Sequence, residues 1–183
     1  MAHRIAPAWR GVIGLSPVLL TLFVFGGDAG RAETLRMKNW TGPAPAFVLG
    51  DTKGARFSLD RGPATRTIVH FFATWCEHCR EEFPALSRLA RRDGEAVRVI
   101  AISVAEPEMR VRRFVAATQP DFPILLDADR KVARAWGVSV LPTSFVLDEN
   151  LSPLMTAEES VAWDAIALDD LKRATKKSAS AQD

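Results

Sequence analysis

The chain has very few residues that could hold a metal or anchor a covalent group. Cysteine occurs twice in 183 residues and histidine three times. A scaffold stapled by several disulfides is therefore excluded. A structural zinc site needs four ligands, and beyond the cysteines only His78 and His70 are near, at the wrong spacing. Attachment of a c-type haem needs histidine directly after the second cysteine, where Arg80 stands. Copper carriers of the cysteine–histidine type want a further distant histidine, and none follows His78. There is no phosphate loop, no internal repeat and no low-complexity tract. No metal and no separate cofactor is expected.

Charge of one sign is also missing once the N-terminus is set apart. Residues 1–32 read as an export segment. Arg4 and Arg10 form a basic start, and residues 11–27 carry no charge. Gly30-Arg-Ala32 supplies small residues at a cleavage site before Glu33. The alternative is an uncleaved membrane anchor, although a span wants roughly 20 apolar residues. Either way the basic start stays inside and the remainder is exported, into a periplasmic or other extracytoplasmic space. Arg4, Arg10, Arg31 and Asp28 lie in this segment, so 24 basic and 22 acidic side chains become 21 and 21. Nothing then argues for nucleic acid as a partner. His3 leaves with the segment, which strands the remaining histidines, His70 and His78, near the cysteines.

What is present is concentrated in Trp75-Cys-Glu-His-Cys79. Exported cysteines are often only structural, but a bridge closing a two-residue gap removes little chain entropy. The pair therefore points to a dithiol that opens and closes in two-electron exchange. The continuous β-rich run Thr67–Phe72 precedes it, and a helix is predicted from about Cys76 to Arg92, stopped by Asp93-Gly94. A thiol at a helix start is favoured as the anion by unpaired N–H groups. Cys76 is thus the expected attacking sulfur, and Cys79, one turn inside, the buried resolving sulfur.

Residues 33–43 read as a linker, 44–175 as one domain and 176–183 as a disordered polar tail. Within the domain, Ala46–Leu49 and Arg56–Leu59 predict a hairpin about Asp51-Thr-Lys-Gly54. Val97–Val104 reads as a buried strand, Glu108–Thr118 as a helix, Ile124–Leu126 as a short strand and Arg130–Trp136 as a helix. Thr143–Asp148 and Leu151–Thr156 predict a second hairpin, and Val161–Thr175 a terminal amphipathic helix. The alternation implies an α/β domain, a central mixed sheet with helices on both faces.

Several neighbours of the dithiol carry two readings. Glu82 sits at the margin of the apolar helix face, beside Cys79. A partly buried carboxylate there would have a raised pKa and accept the resolving thiol's proton. Spacing alone favours a surface glutamate on a solvated flank. His78 would stabilise a Cys76 thiolate if protonated, or stand free in solvent. His70, in a strand buried on both faces, should be neutral and hydrogen-bonded, as a satisfied core histidine is. Pro84 should kink the helix. Pro142 precedes a strand, where ordinary turn chemistry and a cis bond both fit.

Phe71-Phe-Ala-Thr-Trp-Cys-Glu-His-Cys-Arg-Glu-Glu-Phe-Pro84 resembles the active-site segment of the thioredoxin superfamily, and most of all its exported TlpA/ResA-like branch. Ala44–Leu49 and Phe57–Leu59 resemble the opening strands, and Trp136–Asp148 the segment carrying the family's cis-proline. The resemblance implies a thioredoxin fold with an inserted strand–helix unit, which Val97–Thr118 could supply. It implies that Cys76 attacks, Cys79 resolves, Pro142 is cis beside Cys76, and Glu82 is functional. Specificity would lie around Trp75, Leu141 and Thr143. It further implies reduction of disulfides in exported proteins, of the apocytochrome c or copper-site assembly kind, with a membrane protein as electron donor. Two departures matter. Thioredoxins carry an acid where this chain has His70. Histidine at position 78 is a feature of the more oxidising members, which leaves a disulfide donor or isomerase open. A non-catalytic binding module using the groove at Pro142, and a thiol peroxidase, are further alternatives.

Overall fold

A computed structural model describes residues 37–173. The expected export segment and polar tail lie outside the described residues, as do residues 33–36 and 174–175. Among the described residues no helix is long and apolar enough to cross a membrane.

Eight strands form one mixed sheet: β1 Lys38–Asn39, β2 Val48–Asp51, β3 Arg56–Ser58, β4 Arg66–Phe72, β5 Val97–Val104, β6 Ile124–Asp127, β7 Thr143–Leu147 and β8 Pro153–Ala157. Their order across the sheet is β1-β8-β7-β4-β5-β6-β2-β3. The central β4, β5 and β6 run parallel, and the flanking pairs are antiparallel. Among the described residues four α-helices complete the domain: α1 Glu77–Asp93, α2 Glu108–Thr118, α3 Lys131–Ala135 and α4 Leu168–Arg173.

β4 shows why the site sits where it does. Every residue of it is buried, Arg66, Thr67 and His70 included, as expected for a central strand covered on both faces. Alternate side chains face opposite sides. Ile68 and Phe72 join the core beneath α1, with Phe83, Leu86 and Leu89. Val69 and Phe71 face the other core, with Trp136, Phe145 and the α3 residues Val132 and Ala133. His70 shares the phase of Ile68 and Phe72, so it points toward α1 and not toward solvent. Its ring lies among Phe72 and Phe83.

Four expectations are corrected. The expected linker is partly sheet: Lys38 and Asn39 pair with Thr156 and Met155, and the Trp40 N–H bonds to the Leu154 carbonyl. The first hairpin strand runs Val48–Asp51 and not from Ala46, because its register sets Val48 opposite Ser58, the last residue of β3, while Asp51 closes the turn by accepting from the Lys53 and Ala55 N–H groups. In the second hairpin Asp148 accepts from Asn150 and Ser152, and Leu151 takes φ 64°, so β8 starts at Pro153. The single terminal helix is broken. The Val161 N–H is taken by a side chain of α1, residues Trp163–Ala165 form one 3-10 turn, and α4 begins only at Leu168. Pro84 lies inside α1, which continues through it to Asp93.

Candidate active site

The turn after β4 delivers the two sulfurs to the start of α1. Cys76 is the N-cap, with extended backbone (φ −80°, ψ 111°), and its sulfur accepts from the Cys79 N–H at 3.2 Å. A sulfur in that place faces the first, otherwise unpaired N–H groups of a helix, where negative charge is favoured. Cys76 and Cys79 are joined as a disulfide. Cys76 retains 9% exposure and Cys79 none. Cys76 is therefore reachable from solvent and Cys79 is not.

The approach to Cys76 is held by a carboxylate that sequence reasoning passed over. Glu106, buried in the β5–α2 connection, accepts from the Thr74 N–H at 2.7 Å, the Thr74 hydroxyl at 2.6 Å and the Ser103 hydroxyl at 2.9 Å. Ala105 before it takes φ 59°, the left-handed turn that aims it back at the loop. An acid after a buried strand and before a proline was its only sequence signal. Trp75, next along, is 67% exposed.

Trp75 and Leu141 line one cavity of about 460 Å³ with Val104, Arg130 and Val140. The Leu141–Pro142 bond is cis, Pro142 is buried, and Thr143 donates its hydroxyl to the Val140 carbonyl at 2.8 Å. Trp75 and Leu141 thus share a surface with the cis-proline loop.

Glu82 is not on a solvated flank. It is 4% exposed, because residues 161–163 pack over that side of α1. Its Oε1 accepts from the Val161 N–H at 2.7 Å and the Trp163 indole at 2.9 Å. Burial pushes its pKa up from 4.5 to about 7, against opposing pulls from both donors and from His78. It lies one helical turn beyond Cys79, on neighbouring positions of the same face. His70 is fully buried, its Nδ1 is 2.9 Å from the Ser144 hydroxyl of β7, and burial drives its pKa down from 6.5 to about 3. The imidazole is uncharged at neutral pH. His78 is exposed and pairs with Glu81 at 3.2 Å. No group of metal-ligating side chains occurs among the described residues.

The structure therefore gathers Cys76, Cys79, Glu82 and His70 at the start and inner face of α1, with Trp75 and Leu141 on one surface beside them. His78 stays outside that interior group.

Comparison with known proteins gives the same frame. Over 106 residues the chain is 37% identical to thiol-disulfide oxidoreductase ResA of Bacillus subtilis (strain 168), covering 57% of this chain and 59% of that protein. It is 34% identical over 108 residues to ResA of Geobacillus thermodenitrificans, covering 58% and 62%. The matches thus span about six tenths of these relatives' length. A solved Chlorobium tepidum structure assigned as a thiol:disulfide interchange protein DsbE superposes with TM-score 0.63 at 26% identity, over 72% of this chain and 93% of that one. StoA of Bacillus subtilis superposes with TM-score 0.57 at 23% identity, over 70% and 94%, which shows the shared thioredoxin-like fold. Residues 41–152 match the AhpC/TSA family model, and with the fold and the dithiol in place this chain belongs to the AhpC/TSA family of the thioredoxin superfamily, similar to its ResA-like members.

Proposed function

We propose that this chain is a thiol–disulfide oxidoreductase that reduces disulfides in a limited set of exported proteins. The observation that carries the reading is the asymmetry of the two sulfurs. Cys76 caps α1 with residual exposure, and Cys79 is sealed beneath it.

The cycle follows from that asymmetry. The Cys76 thiolate attacks a substrate disulfide, forming a mixed disulfide and releasing one substrate thiolate. The Cys79 thiol then loses its proton and attacks Cys76 Sγ. The second substrate thiolate leaves, and two electrons have passed from the protein to the substrate. Glu82, buried one turn from Cys79 and titrating near neutrality, is the proton acceptor for the second step. Trp75 and Leu141 would contact the substrate chain, with Thr143 fixing the loop that carries Pro142.

The basic, then uncharged N-terminal segment supports action outside the cytoplasm, with a membrane electron donor restoring the dithiol. The likeness to ResA supports substrates of the apocytochrome c or copper-site assembly kind. A second reading, a disulfide donor, draws on His78, since an imidazolium near Cys76 would stabilise the reduced form. His78 shares its charge with Glu81, which weakens that effect.

Three measurements test the reading. The reduced protein should reduce a protein disulfide, and Cys79→Ala should accumulate as a mixed disulfide through Cys76. The reduction potential should lie well below the ~−120 mV of strong oxidants, and a value near that figure would overturn the reductase reading.

A further inference from the structure

Among the described residues, two buried side-chain atoms lack a hydrogen-bond partner: His70 Nε2 and Glu82 Oε2. They lie 3.8 Å apart. Buried polar atoms are nearly always paired, so two orphans turned toward each other need a reason. A closure of about 1 Å would bring them to hydrogen-bond distance.

The surroundings restrict how they can pair. On the far side of the imidazole, Nδ1 meets the Ser144 hydroxyl at 2.9 Å. Phe72 and Phe83 flank the ring, with centroids 6.2 and 6.0 Å from its own. Glu82 Oε1 is occupied by the Val161 N–H and the Trp163 indole. The titratable groups near the pair are Cys79, on α1 one turn before Glu82, and His78, whose charge acts on Glu82 from the exposed end. From β7 and from residues 161–163 come no titratable groups, only the Ser144 hydroxyl, the Val161 N–H and the Trp163 indole.

We propose that His70 is a positioning residue for the resolving step: Ser144 holds it as the Nδ1–H tautomer, and its bare Nε2 accepts a hydrogen bond from Glu82 once the carboxylate has taken the proton of Cys79. This rests on the oxidoreductase reading above. With Glu82 ionised, two acceptor atoms face each other across the 3.8 Å gap. When Cys79–S–H gives its proton to the carboxylate, Glu82 becomes a donor, and the new O–H bonds to Nε2. The histidine thereby favours the protonated acid and makes Glu82 a stronger base toward Cys79. The pair ends the step holding one proton, and the Cys79 thiolate displaces the substrate thiolate from Cys76.

The test uses the reduced protein and the aromatic disulfide dithiobisnitrobenzoate. Attack by Cys76 releases one thionitrobenzoate, and attack by Cys79 on the mixed disulfide releases the second. Glu82→Gln should slow the second release about 100-fold and His70→Leu about tenfold, with the first release unchanged. His70→Leu should also move the pH midpoint of the second release downward. In the Glu82→Gln background, His70→Leu should add less than about twofold, because His70 acts only through the carboxylate. An equal slowing in both backgrounds, or an unmoved midpoint, makes His70 merely structural and overturns the proposal. Nitrogen-15 NMR of the wild-type protein needs no variant: an Nδ1–H signal is expected, and an Nε2–H tautomer overturns the assignment. If wild-type protein releases only one thionitrobenzoate, the oxidoreductase reading itself fails.

Discussion

Replacing Glu82 with glutamine should unmask an acid sensitivity that the wild-type protein hides. The two buried groups act on stability in opposite senses. His70 has its pKa lowered from 6.5 to about 3 by burial. The unfolded chain then binds a proton that the folded chain refuses, so this contribution is present above pH 6.5 and lost as pH falls. Glu82 has its pKa raised from 4.5 to about 7. The folded chain keeps a proton that the unfolded chain releases, so this contribution is present below pH 4.5 and lost as pH rises through 7. Between about pH 4.5 and 6.5 each state holds one proton on the pair, on Glu82 when folded and on His70 when unfolded. The pair's net slope there is near zero. Glu82→Gln removes one half of that balance. At 1.36 kcal/mol per pKa unit, His70 alone then costs about 3 kcal/mol between pH 6.5 and 4.5, as a ceiling. Urea unfolding of the oxidised wild-type and variant proteins, at half-unit pH steps, reads the two curves. Common carboxylates cancel in their difference. The variant should lose stability toward acid about 3 kcal/mol faster than wild type across that window. Parallel curves would refute the pairing of opposed burials.

Four further outcomes follow. Glu106→Ala should cost about 2–3 kcal/mol in urea unfolding, because it strips partners from the Thr74 N–H and the Thr74 and Ser103 hydroxyls. Trp163→Phe should raise the Glu82 pKa, since the indole is one of the groups pulling it down, and should cost about 1–2 kcal/mol above pH 7; carboxyl titration by infrared difference spectroscopy checks the direction. Trp75→Ala should weaken kcat/KM toward a protein disulfide about tenfold and leave the small aromatic disulfide nearly unaffected, if the exposed tryptophan next to Cys76 contacts the substrate chain as proposed. Peroxide added to the reduced protein should be consumed no faster than by a free thiol, and rapid stoichiometric oxidation would revive the peroxidase alternative.

The parts of this molecule readable from sequence were those set by local periodicity. The run Thr67–Phe72 required burial on both faces, and the Cys76–Arg92 pattern required a helix, so the dithiol's place at a helix start was legible. Glu82 shows the limit. Its helical phase put it at the edge of the apolar face, and only the packing of Val161 and Trp163, some eighty residues later, decides that it is interior. The same contact broke the expected terminal helix, because a backbone N–H spent on a carboxylate and an anchored indole fix a different path. Glu106 and Ser144 were invisible for a similar reason: their partners, Thr74 and His70, are distant in sequence. Lys38–Asn39 gave no strand signal, since two residues on a sheet edge need only an available neighbour in β8.

That edge strand has a consequence for chain length. β1 and β2 are consecutive in sequence but six strand positions apart in the sheet. At ~4.8 Å per strand the gap is about 29 Å, somewhat less with sheet twist. The nine steps from Asn39 to Val48 reach about 30–32 Å when fully extended. The crossing segment therefore has little length to spare beyond one bend at Gly42. It runs over the Trp136 and Phe145 face, with the Trp40 ring against Phe145 and the Trp136 indole bonded to the Pro45 carbonyl. Pro43 and Pro45 stiffen it, and Gly42 leaves room for the Trp40 ring that a Cβ would strike. A strap this taut sets its own residue count. Deleting one residue between Gly42 and Ala46 would shorten the reach by about 3.4 Å and pull either β1 or β2 off the sheet, whereas the same deletion in a slack loop would pass unnoticed.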